Sequence, residues 1–158
     1  MEMPKPAAAH RQLERLVGDW TGTEHMYPSP WNPAGGDALA RITNRLAVDG
    51  FIVVQEYEQE TAGVVRFRGH GVFSWDAGQT CYVLHWFDSM GTPPNVFRGN
   101  FAGDVLTVST TWPQGLGRAV FDLSREGHYT FRMEASEDGK QWAPLMEGQY
   151  QRAGRSSS

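Results

Sequence analysis

Cysteine is almost absent: Cys81 stands alone in 158 residues, so no disulfide can form within the chain. A chain of this length can hold itself together with a hydrophobic core and needs no covalent staple. The lone thiol lies in the apolar run Cys81-Tyr82-Val83-Leu84, which reads as a buried structural position. A chain without disulfides suits a reducing cytoplasm. Long hydrophobic runs are missing too. No apolar stretch approaches the ~18 residues of a spanning helix, and the opening MEMPKPAAAHRQ lacks the apolar centre of a secretory signal. No asparagine begins a glycosylation triplet. Positive charge is sparse, with 14 Lys and Arg against 18 Asp and Glu and a net charge of -4. Only Arg66 and Arg68 fall together on a strand face, which excludes the concentrated basic surface that nucleic acid requires. Catalytic and metal signatures are likewise missing. There is no HExxH, HxH or Cys/His cluster, no Gly-x-Ser-x-Gly, no phosphate loop and no dinucleotide fingerprint. The sequence offers neither a metal site nor a catalytic set, and it leaves any cofactor unnamed.

What the chain does have is aromatic residues and glycine. Aromatics make up 12% of it, with 6 Trp, 8 Phe and 18 Gly, a composition suited to pleated strands joined by tight turns. One short helix is predicted over 7–17, where Leu13, Leu16 and Val17 share helical spacing and Gly18 can end it. Its narrow apolar face suits a plug across one end of a larger body. Beyond Val17 the period changes to two. Strands are predicted at 18–27, 38–47, 51–59, 65–75, 80–88, 95–101, 104–112, 117–124, 128–135 and 142–152. Turn-formers such as Asp49-Gly50, Ala102-Gly103-Asp104, Glu126-Gly127 and Asp138-Gly139 separate them.

About ten strands with short hairpins form a meander, and closing it into an antiparallel up-and-down barrel removes both exposed edges. The expectation is an all-β, lipocalin-like barrel over 1–158 as a single domain, with a polar tail at 154–158. The Pro- and Gly-rich stretch 28–37 is too irregular for a strand. It should lie over a barrel mouth, with Trp31 as cover or ligand contact.

Leu16-Val17-Gly18-Asp19-Trp20 resembles the opening of lipocalins and other calycins. That resemblance implies a tryptophan closing the barrel base against a basic side chain of the last strand, and Arg152 is the candidate partner of Trp20. A wider pattern includes Pro28-Ser29-Pro30-Trp31, Asp49-Gly50-Phe51, Trp86-Phe87-Asp88-Ser89-x-Gly91, Met133-Glu134-x-Ser136-x-Asp138-Gly139-x-x-Trp142 and Glu147-x-x-Tyr150-x-Arg152. In this order it resembles the domain of unknown function 1579 family, which implies a lipocalin-like barrel without an established activity. A looser likeness, through Gly18-Asp19-Trp20-Thr21-Gly22-Thr23-Glu24, is to nitrobindin-type barrels and implies haem binding.

Candidate site residues follow from alternation, since every second side chain of a barrel strand faces the lumen. Arg45, Arg118 and Glu134 form an anion-binding cluster if they point inward and cross-strand ion pairs if outward. His85, between Leu84 and Trp86, could ligate haem iron or orient a ligand if it faces in. Tyr57, flanked by Glu56 and Glu58, and Trp86 complete the ligand-binding candidates. Gly69 and Gly71 read as a bend or bulge in a curved sheet. Three functions remain open. The first is a carrier or sensor of a small hydrophobic or anionic amphiphilic molecule. The second is a haem-binding or enzymatic calycin. The third is a filled barrel that self-associates, for instance as a homodimer, through surplus surface aromatics.

Overall fold

The computed structural model describes residues 1–30 and 32–153; the expectations for Trp31 and for a tail at 154–158 fall on residues outside that description. A short helix α1 (Ala8–Gln12) leads into ten strands. These are β1 (Gly18–Met26), β2 (Gly36–Ala47), β3 (Ile52–Thr61), β4 (Val64–Asp76), β5 (Cys81–Asp88), β6 (Asn95–Ala102), β7 (Val105–Trp112), β8 (Gly115–Arg125), β9 (His128–Ser136) and β10 (Ala143–Arg152). Each pairs antiparallel with its neighbours in sequence, and β1 pairs with β10 to close the barrel. The chain is therefore an all-β, up-and-down barrel with a helical entry, as its alternation and turn chemistry predict. Asp49-Gly50 turns the β2–β3 connection with φ of 55° and 89°, the left-handed region that such dipeptides tolerate.

The helix is shorter than predicted. It ends at Gln12, and Leu13–Leu16 continues as a 3-10 turn. In that tighter coil residues three apart eclipse, so Leu13 and Leu16, 1% and 0% exposed, both enter the barrel base. The carbonyl of Leu16 is left free, and it accepts the Trp20 indole N–H at 2.9 Å and the Asn44 amide at 2.8 Å.

The same base holds Trp20, with the Arg152 guanidinium carbon 4.6 Å from its ring centroid. Trp20 and Arg152 are register partners, and Arg152 also donates to the Val17 carbonyl at 2.7 Å. The two ends of the barrel differ for a reason visible in the connections. At the base, β2–β3, β4–β5, β6–β7 and β8–β9 join by tight turns beneath the helix. At the opposite end lie the longer connections 27–35, 89–94 and 137–142, which surround a mouth.

Burial settles which face is inside. On β2 it is Ala38, Ala40, Ile42 and Asn44; on β3, Val53, Gln55 and Tyr57; on β9, Tyr129. A one-residue change of register would exchange these with Arg41, Thr43 and Arg45, so the inward set is fixed by its own chemistry.

Candidate functional site

The lumen is not filled. Between the plug and the mouth lies a cavity of about 320 Å³, at the lower end of the volumes that hold small ligands. Aromatic rings make much of its wall. Phe97, Phe121, Tyr129, Phe131 and Tyr150 surround the deeper part, and Tyr57, Phe67, Trp86 and Trp112 the part nearer the mouth. Met26, Met146 and Met133, consecutive cross-strand partners on β1, β10 and β9, give the opening a flexible apolar margin.

Glycines let these large rings lie flat. A Cβ on Gly69 would overlap the six-membered ring of Trp86, and one on Gly117 would overlap that of Trp112. Gly148 and Gly22 leave the same room for Tyr150. Gly69 therefore sits on the inner face as the seat of an indole. Each seated indole is then oriented by a hydrogen bond at the mouth. Trp86 Nε1 donates to Asp88 Oδ2 at 2.9 Å, and Trp112 Nε1 donates to Asn95 Oδ1 at 3.2 Å. Asp88 Oδ1 in turn accepts the backbone N–H of Met90 at 3.0 Å, which ties the 89–94 connection to the site.

A polar cluster lies in the wall. The carboxylate of Glu24 is 2% exposed and accepts the hydroxyls of Tyr57 and Tyr150, each at 2.5 Å, and the amide of Gln59 at 2.9 Å. Tyr57 also accepts from Gln59 at 3.1 Å, which directs its own proton to Glu24. Burial, with the Glu24 charge adding to it, pushes the Tyr57 and Tyr150 hydroxyls far above the ordinary tyrosine range. Tyr129, also buried, is raised as well. Tyr57 and Tyr150 are fixed donors at neutral pH, not bases. A separate pair, Gln55 to Asn44 at 3.0 Å, leads to the Leu16 carbonyl.

The structure divides the sequence-predicted site residues. Tyr57 and Trp86 face the cavity. Arg45, His85, Arg118 and Glu134 stand on the outer face, because each is one position out of step with the inward set. Arg45 is 72% exposed with Asp19 3.9 Å away. His85 lies in register between Val72 and Val96. Arg118 and Glu134 pair at 2.6 Å on the outside, with Arg132 on the other carboxylate oxygen at 3.0 Å and the Trp142 ring 4.0 Å from the Arg118 guanidinium carbon. That arrangement is the cross-strand ion pair of the two alternatives, and no anion-binding cluster forms inside.

None of the described residues lining the cavity is Arg, Lys or His, so an anionic head group would meet no counter-charge there. The histidines do not reach it either. His10, on the plug helix, packs on Phe51, His25 and His70 bond Asp37 and Glu56 on the surface, and His85 and His128 alternate with inward Leu84 and Tyr129. The lumen therefore offers a haem iron no imidazole, and the residues present do not fit a histidine-ligated haem. Among the described residues, no three of His, Cys, Asp and Glu gather as metal ligands.

Sequence reasoning does not single out Glu24, Gln59, Asp88 or Asn95. The usable signal is parity: Glu24 shares a face with Trp20, and Asp88 shares one with Trp86.

The sequence model of a family described as a protein of unknown function, DUF1579, matches residues 5–152. No curated protein matches the chain. Among solved structures, Rv2717c from M. tuberculosis is similar with a TM-score of 0.70 at 14% identity, over 94% of this chain and 99% of that one. The S-type phycobiliprotein lyase CPES from Guillardia theta is similar with a TM-score of 0.65 at 12% identity, over 94% of each chain. At such identities the likeness is one of fold, a lipocalin-like barrel.

Proposed function

The chain belongs to the DUF1579 family of proteins of unknown function, and we propose that it binds a small, largely apolar molecule inside its barrel. The observation that carries this reading is the aromatic cavity itself: its rings are seated on glycines around an open space instead of interdigitating to fill it. Cores pack to crystal-like density with few voids larger than a water molecule, and an apolar cavity with a few convergent polar groups is the usual form of a ligand site. Tyr57 and Trp86 are the binding residues expected from sequence, joined here by Trp112, Asp88 and Asn95. One structural neighbour is a phycobiliprotein lyase, and its barrel likeness supports a small-molecule role at the level of fold alone.

A neutral dye that brightens in apolar surroundings, N-phenyl-1-naphthylamine, tests the reading. Saturable binding at one site is expected, and Ala119→Phe, which projects a ring into the cavity, should abolish it while the circular dichroism spectrum is unchanged. Dye binding that ignores this substitution would count against a lumenal site.

The buried, lone Cys81 supports a reducing, cytoplasmic setting. Exposed Phe87, Met90 and Val96 support self-association through the β5–β6 face, which sedimentation at increasing concentration would reveal.

A further inference from the structure

We infer that the cavity selects its ligand by charge and takes an organic cation, an ammonium group on a flat apolar body, with the positive nitrogen held at the mouth by Trp86 and Asp88. The inference rests on the reading that the lumen binds a small molecule, and adds the chemistry of that molecule.

Five observations point the same way. The described lining contains a carboxylate, Asp88, and no cationic side chain. Asp88 is held on the wall by one donor to each oxygen, the Trp86 indole and the Met90 backbone N–H. A carboxylate has about four lone-pair sites, so these two bonds leave acceptor capacity for a ligand. Behind the wall, Glu24 places a second negative charge against Tyr57 and Tyr150, and no cation forms an ion pair with it among the described residues. The ring face of Trp86 carries the negative side of the aromatic quadrupole, which attracts cations and not anions. Nearby basic residues are engaged elsewhere: Arg68 lies outside facing Glu58 at 3.6 Å, and Arg118 is bound to Glu134.

The test uses three naphthalene probes with one linker, ending in trimethylammonium, tert-butyl or carboxylate, titrated by calorimetry into the full chain. The ammonium probe should bind about tenfold tighter than its tert-butyl isostere, with the carboxylate weakest. Asp88→Asn, which removes the charge and keeps one acceptor oxygen, should remove most of that gap, read as the ratio of ammonium to tert-butyl affinity within the variant. A second measurement needs no variant: ammonium affinity should fall as salt rises while tert-butyl affinity does not. Equal binding of all three probes, or a preference for the carboxylate, would overturn the charge selection and leave the cavity reading standing. If the tert-butyl probe fails to bind along with the others, the cavity reading falls and takes this inference with it.

Discussion

Among single residues, the site depends on a buried carboxylate that takes the hydroxyl protons of two buried tyrosines. Glu24 receives three donors in a place water barely reaches. Glu24→Ala would orphan the hydroxyls of Tyr57 and Tyr150, at roughly 1–3 kcal/mol for each buried group left unsatisfied. Glu24→Ala should therefore lose clearly more stability than Tyr57→Phe, which removes one donor only, and urea unfolding of the two variants checks the order. The raised tyrosines make a second prediction. In the unfolded chain their hydroxyls ionise near the ordinary value of 10.0, while Tyr57, Tyr129 and Tyr150 stay protonated when folded. Their contribution is full below that value. Above it the unfolded chain holds fewer protons than the native one, so stability falls by about 1.4 kcal/mol per pH unit for each tyrosine. Alkaline titration followed by near-ultraviolet circular dichroism should show this loss, shallower in Tyr57→Phe. Gly69→Ala would push the Trp86 ring off its seat, at about 1–3 kcal/mol for overpacking, and should weaken probe binding beyond its effect on stability.

Taken element by element, the two ends of the barrel have different roles. The base is a closure: helix, 3-10 turn, Trp20 and Arg152 lock together there. Arg152→Ala should cost about 1 kcal/mol through the lost stacking, measurable by thermal unfolding, with no change in probe affinity because the site is at the far end. The mouth is bordered by connections, one of them organised by Asp138. Its carboxylate accepts the backbone N–H groups of Gln141 at 3.0 Å and Lys140 at 2.8 Å. Those bonds, Gln141 first, hold its pKa below the usual aspartate range. A depressed carboxylate stabilises above its unfolded pKa and loses that effect as pH falls through the folded one. The protection of the Lys140 and Gln141 amides relative to their intrinsic exchange rates should thus fall under acid, and already at neutral pH in Asp138→Ala. The strands themselves are legible in the sequence, because a period of two broken by Asp-Gly turns has few other solutions. The extent of the helix is not, since the spacing of Leu13 and Leu16 is equally served by a 3-10 turn that frees the Leu16 carbonyl.

For the molecule as a whole, closure of the barrel converts local alternation into an inside and an outside, and the candidate site is harder to read for that reason. Tyr57 and Trp86 stand out in the sequence, but Arg45, His85, Arg118 and Glu134 have no assigned side until the register fixes parity. All four stand outside, because the inward positions beside them go to the residues that build the core and the cavity wall. Glu24 is hidden in the sequence because its partners come from β3 and β10, 33 and 126 residues away. Whether a small molecule sits in this lumen is decided by NMR of protein carrying ¹³C-methyl methionine, titrated with N-phenyl-1-naphthylamine. Nuclear Overhauser contacts are expected from the dye to the methyl groups of Met26, Met133 and Met146 at the mouth, with exposed Met90 unmoved. Contacts to Met90 alone, with the three mouth methyls unchanged, would refute lumenal binding.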